Sequence, residues 1–354
     1  RESMVKAREY LASGEKKNLK KAWRRVDKLR EACKHSVDYW DFYLRLGKAM
    51  GKDEATLWAE LDQVERANAG CATFRLLRAR LTSDPYERQE HLEQAVEVAP
   101  KDMRAKLILI DHLLGQDEEI EAEEIVDAIL EEQPDHVGAL VRKGRVQLAG
   151  GYYNAALQFA NERLAKQKLP ELFDLKAHAY MAIQEDEGKE LLAEAHAAAL
   201  EAVKLRPDAP FVATLALVLE KRGKLDEARA EVEKHHKARP APLLAGLLGD
   251  YAFRTGAYKK AAGAFRTSAA TSAVAAKGHT ECLLRLGKRK EAAAALERLL
   301  AHDPETHAVY AAYAFGRLRK YDRALKLLEG QEGDEAAWAR GWILSSAGRP
   351  DALK

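Results

Sequence analysis

Proline recurs along this chain with a nearly constant spacing, and that spacing limits the folds open to it. Successive members of one proline series are separated by 34, 36, 37, 33 and 64 residues, and the last gap is two units of 32. A period near 34 is typical of stacked helix-turn-helix repeats. Proline suits the junctions between repeats because it lacks an N–H and ends the preceding helix. The series is Pro100, Pro134, Pro170, Pro207, Pro240 and Pro304.

Glycine and alanine occur at matching places within the repeats. A glycine follows an apolar amphipathic stretch in most of them, which predicts a tight turn between a helix A and a helix B. These glycines are Gly14, Gly51, Gly151, Gly223, Gly256, Gly287 and Gly348. Small residues stand at two fixed distances from the turn glycine, and they predict close helix crossings. Seven positions before it are Ala7, Gly144, Ala216, Gly249 and Gly341, and five positions after it are Ala156, Ala228, Ala261 and Ala292.

Two segments with these features resemble the tetratricopeptide repeat (TPR): LGDYAFRTGAYKKA at 248–261 and EKRGKLDEA at 220–228. The resemblance covers essentially the whole chain, is clearest from residue 137 onward, and meets extra residues at 184–189. It implies an all-α fold, an α-solenoid of about ten helix-turn-helix units in a right-handed superhelix whose A helices line a concave groove. We expect residues 1–136 to be divergent repeats, residues 137–354 regular repeats, and the two to form one continuous solenoid.

Composition and motifs favour a binding protein over an enzyme. The 354 residues are 47% hydrophobic with a net charge of +2, and helix formers dominate. The sequence has no phosphate-binding glycine loop, no HExxH and no nucleophile turn. Its three cysteines, Cys33, Cys71 and Cys282, lie far apart without metal-ligand spacing, so we expect reduced thiols. We therefore expect no enzymatic activity, no cofactor and no metal.

The sequence also bears on location. No apolar run approaches the roughly 18 residues that span a bilayer, and no signal peptide opens the chain. We expect a cytoplasmic protein. A membrane-tethered form or another compartment is the alternative, since the chain begins at Arg1 and its natural start could lie upstream.

Cations two residues before successive turns predict a row inside the groove. Its members are Lys221, Arg254, Arg285 and Arg317, and Arg145 could extend it. Arginine binds carboxylate oxygens in pairs, so the row favours an acidic protein or peptide ligand. The alternative interpretation is that the helix dipole favours cations at these helix ends, where lysine is usual in the family that the chain resembles.

Aromatic side chains form a second candidate contact surface. Trp338 and Trp342 are four residues apart and therefore share one helix face. Tyr310 and Tyr313 occupy comparable places one repeat earlier. Trp and Tyr are enriched in binding hot spots. The alternative is that these aromatic residues cap the core of the last repeat.

Charge is spread unevenly along the chain. Residues 1–36 carry 12 Lys/Arg against 5 Asp/Glu, whereas residues 84–135 carry 17 Asp/Glu against 4 Lys/Arg. A basic amphipathic helix at 16–28 has Leu19, Trp23, Val26 and Leu29 on its apolar face. We interpret it as a helix B with a solvated outer face, and contact with nucleic acid or an anionic membrane is the alternative.

The sequence therefore predicts a scaffold or adaptor that binds a partner protein or peptide in the groove of an α-solenoid. Three alternatives remain open. The chain could be a regulatory or assembly part of a larger enzyme or membrane-associated complex. It could bind nucleic acid through the basic N-terminal helix, although the net charge of the whole chain makes that unfavoured. It could also associate with itself through its end repeats.

Overall fold

A computed structural model describes residues 7, 16–33, 36–50, 52–67, 72–82, 84–188, 190–269, 272–302 and 304–348. Within these ranges every regular element is a helix, which confirms the predicted all-α fold. The chain forms two compact units, Arg1–Tyr152 and Tyr153–Lys354, here called the N-terminal and C-terminal units. The division at residue 136, the continuity of the solenoid and its handedness stay predictions.

The N-terminal unit contains eight described α-helices and a short 3-10 helix, Glu31–Cys33. The α-helices are α1 (Lys16–Asp27), α2 (Val37–Ala49), α3 (Glu54–Ala67), α4 (Ala72–Leu81), α5 (Pro85–Val98), α6 (Met103–Leu114), α7 (Glu119–Glu132) and α8 (Val137–Ala149).

The C-terminal unit contains twelve described α-helices in which B and A helices alternate. They are α9 (Tyr153–Lys166), α10 (Pro170–Glu187), α11 (Leu192–Leu205), α12 (Ala209–Lys221), α13 (Leu225–Ala238), α14 (Pro242–Arg254), α15 (Tyr258–Ser268), α16 (Ala273–Arg285), α17 (Arg289–His302), α18 (Pro304–Arg317), α19 (Tyr321–Leu327) and α20 (Asp334–Ser346). The extra residues predicted near 184–189 lengthen α10, which ends at Glu187 and is capped by Gly188.

Most of the predicted turn glycines adopt the left-handed backbone that closes a helix. Gly256, for example, has a φ of +74°, a conformation that other residues rarely adopt. Gly151, Gly223, Gly287 and Gly348 behave in the same way, whereas Gly14 and Gly51 lie outside the described residues. At the α18–α19 turn Arg319 takes this conformation with a φ of +60°, which explains why the glycine pattern skips that repeat.

Small residues let the A and B helices of the C-terminal unit approach closely. Phe265 of α15 is almost fully buried between two glycines. A Cβ added at Gly249 of α14 would lie 2.6 Å from Phe265 Cδ1, and one at Gly278 of α16 would lie 2.8 Å from its Cζ. The ring therefore fits only because both neighbouring A helices lack a side chain there, as the repeat pattern predicted for Gly249.

The N-terminal unit has larger side chains in its core, which accounts for its weaker repeat pattern. Tyr39, Trp40 and Tyr43 of α2 are all essentially inaccessible to solvent. Trp23 of α1 packs on Tyr43 with ring centroids 4.6 Å apart. The apolar face predicted for the basic helix is thus packed into the core, since Leu19, Val26 and Leu29 join the same cluster as Trp23.

We predict that Gly249→Ala destabilises the protein, because Phe265 is held on its other side by Gly278 and cannot move away. Overpacking of this kind costs about 1–3 kcal/mol in the free energy of unfolding, measurable by urea denaturation. Gly263→Ala on the exposed side of α15 is the matched control. A Cβ there meets no atom within 4 Å, so the substitution should stabilise the helix by about 0.5–1 kcal/mol. Equal effects of the two substitutions would contradict the packing argument.

Candidate functional site

The predicted cations lie at the ends of successive A helices, and the structure gives each one a carboxylate partner. Lys221 of α12 pairs with Glu185 of α10. Arg254 of α14 donates to Glu220 Oε2 of α12 at 2.8 Å. Each acid belongs to the preceding A helix, 36 or 34 residues earlier, which is one repeat.

Glu281 of α16 joins two cations of the row. It accepts from Arg317 Nη1 of α18 at 2.5 Å and from Arg285 Nε of its own helix at 2.8 Å. Burial alone would raise the pKa of Glu281, but hydrogen bonds and charge from these two arginines outweigh it and lower the pKa below the ordinary value of 4.5. Arg285 also lies 5.6 Å from the ring centroid of Tyr258. Lys221, Arg254 and Arg317 therefore each join two successive A helices by an ion pair, whereas Arg285 pairs within its own helix.

Sequence reasoning found the cations of this row but missed the acids that neutralise them. Glu220 uses both oxygens, since Tyr251 donates to Oε1 at 2.7 Å while Arg254 binds Oε2. Arg254 has a second partner in Asp250 at 2.7 Å. A carboxylate one repeat before Lys221, Arg254 and Arg317 is the signal in the sequence that could reveal these pairs.

Arg145 was predicted to extend the row, but it lies in the N-terminal unit on α8. There it is 3.9 Å from Asp111 of α6 and its side chain is 57% exposed. The other four cations lie in the C-terminal unit. The extension of the row to Arg145 stays a prediction.

The aromatic candidates separate into one packing residue and three that meet on one surface. Tyr310 is partly buried against a cluster of buried apolar residues, and its hydroxyl donates to the Lys277 carbonyl oxygen at 3.1 Å. Burial raises the pKa of this tyrosine. Tyr310 therefore ties α18 to α16, and its role as a ligand contact stays a prediction.

The other three side chains form a contiguous surface, which we call the aromatic face: Tyr313 of α18 with Trp338 and Trp342 of α20. The Tyr313 ring centroid is 5.7 Å from that of Trp338 and 4.8 Å from that of Trp342. Trp338 is 61% exposed, whereas Trp342 is partly buried. A Cβ added at Gly316 would lie 2.6 Å from Trp342 Cζ3, so this glycine makes the space in which Trp342 packs on α18.

The cysteines of the described residues are free thiols. Cys282 is buried, and burial raises its pKa to about 11, so it is unsuited to act as a nucleophile near neutral pH. Cys33 is partly exposed, and Cys71 lies outside the described residues. In the described ranges no three His, Cys, Asp or Glu side chains converge as a metal site would require. No helix within the same ranges is long and apolar enough to cross a membrane.

Stacked helix pairs define a helical-repeat protein. A family model described as tetratricopeptide repeat matches residues 213–276. That match assigns a tetratricopeptide repeat to residues 213–276, and helix pairs of the same kind stand on both sides of it along the C-terminal unit.

Solved structures with a similar fold are distant in sequence. The yeast Tom70 structure is 14% identical with a TM-score of 0.51, over 98% of this chain and 87% of that one. TTC0263, a thermophilic TPR protein of Thermus thermophilus, is 21% identical with a TM-score of 0.44, over 51% of this chain and 98% of its own. The APC/C hetero-tetramer Cut9–Hcn1 is 14% identical with a TM-score of 0.46, over 94% and 66%. These likenesses concern the fold alone, and a search of curated proteins finds no match.

We predict that Glu281→Gln lowers stability at pH 7 and that its difference from wild type shrinks as the pH falls below about 4. The folded-state pKa of Glu281 is lowered, so its contribution is present above the unfolded pKa and disappears as the pH falls through the folded value. Urea unfolding at a series of pH values measures this difference. Glu332→Gln changes an exposed carboxylate and should show no such pH dependence. A difference that stays constant down to about pH 3 would refute the ion-pair account.

Proposed function

We propose that this protein is a non-enzymatic scaffold that holds a partner protein or peptide, and that the aromatic face is its principal contact surface. The observation that carries the proposal is the 61% exposure of Trp338 beside Tyr313. Tetratricopeptide-repeat proteins generally act as scaffolds for other proteins, which supports the same class of function.

An exposed tryptophan beside two further rings has the properties of a binding hot spot. Such residues bury a large area while keeping a polar N–H, and they typically contribute about 2 kcal/mol or more when a partner covers them. Trp342 and Gly316 hold the surface in place because the indole packs against the backbone of α18. The surface is thus formed before a partner arrives, which reduces the entropy lost on binding.

The ligand chemistry at this face is chiefly apolar, with carboxylates in a secondary role. Arg317 follows Tyr313 by four residues on α18 and its side chain is 29% exposed. Because Glu281 already binds Arg317, a carboxylate of the partner must compete with it. We therefore place an apolar or aromatic side chain of the partner on Trp338, and an acidic residue of the partner near Arg285 or Arg317.

The other functions that the sequence left open stay predictions. They are a role as a regulatory or assembly part of a larger complex, self-association through end repeats and nucleic-acid binding by α1. The apolar face of α1 is already used in the core of the N-terminal unit.

We predict that Trp338→Ala removes partner binding while leaving helicity and unfolding free energy within about 0.5 kcal/mol of wild type, as expected for an exposed side chain. Affinity purification from the source cell with quantitative mass spectrometry identifies proteins lost from the variant. Titration calorimetry with the purified partner should then show at least about tenfold weaker binding.

Tyr86→Ala is the matched control, because Tyr86 is an 81% exposed aromatic residue of the N-terminal unit. It should retain the partners that the Trp338 variant loses. Identical partner sets for wild type and both variants would refute the assignment of the aromatic face.

A further inference from the structure

The N-terminal unit contains an open cavity of about 860 Å³. Residues of α4, α5, α6 and the start of α2 line it, and its apolar wall is formed by Leu76, Leu92 and Ile108. Leu76 and Leu92 are buried, but Ile108 is 39% exposed toward solvent. Ligand pockets typically enclose about 300–1,000 Å³, so the cavity can hold several side chains of a peptide.

Three arginines line the same cavity: Arg80, Arg88 and Arg104. Arg88 is held in place by backbone oxygens, since its Nε donates to the Ala79 carbonyl at 3.0 Å and its Nη2 to the Thr82 carbonyl at 2.8 Å. These two carbonyl oxygens accept from two of the guanidinium nitrogens but leave the positive charge uncancelled.

The other two arginines are exposed and weakly compensated. Arg104 forms no ion pair with any carboxylate in the described part of the chain. Arg80 lies 3.4 Å from Asp41, which Arg45 already binds at 2.8 Å through its other oxygen. This arrangement differs from the cation row of the C-terminal unit, where Lys221, Arg254, Arg285 and Arg317 all have carboxylate partners.

Two carboxylates also line the cavity, Asp38 and Asp111. Asp111 accepts a hydrogen bond from Arg142 of α8 and lies 3.9 Å from Arg145, so two further arginines neutralise it. With these neighbours counted, positive charge exceeds negative charge around the cavity.

We propose that this cavity binds an acidic peptide segment of a partner protein, at a site separate from the aromatic face. Carboxylates of the segment pair with Arg80 and Arg104, and an adjacent aliphatic side chain packs on the exposed Ile108, beside the buried Leu76 and Leu92. Positive charge above an aliphatic wall is complementary to a sequence that alternates acidic and aliphatic residues.

A nucleic acid fits the cavity less well for two reasons. The described residues that line it include no Phe, Trp or Tyr on which a base could stack. The surrounding sequence, residues 84–135, carries 17 Asp/Glu against 4 Lys/Arg. That field repels a long polyanion, whereas a short segment with few carboxylates meets chiefly the arginines of the cavity.

The test uses fluorescence anisotropy with the full chain and a labelled short peptide of alternating Glu and Leu as probe. We expect saturable binding that weakens as salt rises from about 50 to 200 mM. The double variant Arg80→Glu/Arg104→Glu should bind at least about tenfold more weakly. Ile108→Gln, which removes only the aliphatic contact, should also weaken binding while the charges stay intact.

The matched control is Lys101→Glu/Lys106→Glu, which makes the same change in net charge beside and within α6 at positions that do not line the cavity. It should bind like wild type, and circular dichroism should show equal helicity for all variants. A Gln/Leu peptide and a single-stranded RNA are run as competitors and should not displace the probe. Absence of probe binding, equal weakening by both double variants, or preference for the RNA would each overturn the proposal.

Discussion

Close helix contact at glycine is the constraint on which the rest of this structure depends. Phe265 fills the space between α14 and α16 only because Gly249 and Gly278 have no side chain there. The same principle recurs near the functional surface, where Gly316 makes room for the Trp342 ring. Helix pairs that approach this closely bury their apolar stripes against their neighbours, and their remaining faces are free to bind other molecules.

Charge is arranged differently in the two units, and on this ground we propose different ligands for them. In the C-terminal unit the cations at the ends of A helices are used internally, since Glu220 and Glu281 join one repeat to the next. That surface then offers mainly aromatic area to a partner. In the N-terminal unit Arg80, Arg88 and Arg104 surround a cavity without equivalent carboxylate pairing. Carboxylates of a ligand can supply the negative charge that the chain itself does not place beside these arginines.

The repeat could be predicted from the sequence because its turns and helix crossings need glycine, and few other residues can take its place there. Gly256 marks a turn that needs a positive φ, and Gly249 marks a helix crossing, so both are readable from spacing alone. Arg319 shows where this glycine pattern fails, because a residue other than glycine can also form a tight turn at the cost of some backbone strain. The spacing of the cations alone does not reveal the pairing of Glu281 with Arg317, although the acid stands one repeat earlier.

The spacing of Trp338 and Trp342 predicts that they share a helix face, but spacing does not tell that the Tyr310 hydroxyl bonds to the backbone of α16, and the contact roles of these residues stay predictions. The measurement that tests the central claim most directly is site-specific photocrosslinking in the source cell, with benzoylphenylalanine in place of Trp338. The account predicts a discrete crosslinked product that contains a partner polypeptide. Crosslinks no different from those of the same probe at the exposed Tyr86 position would contradict it.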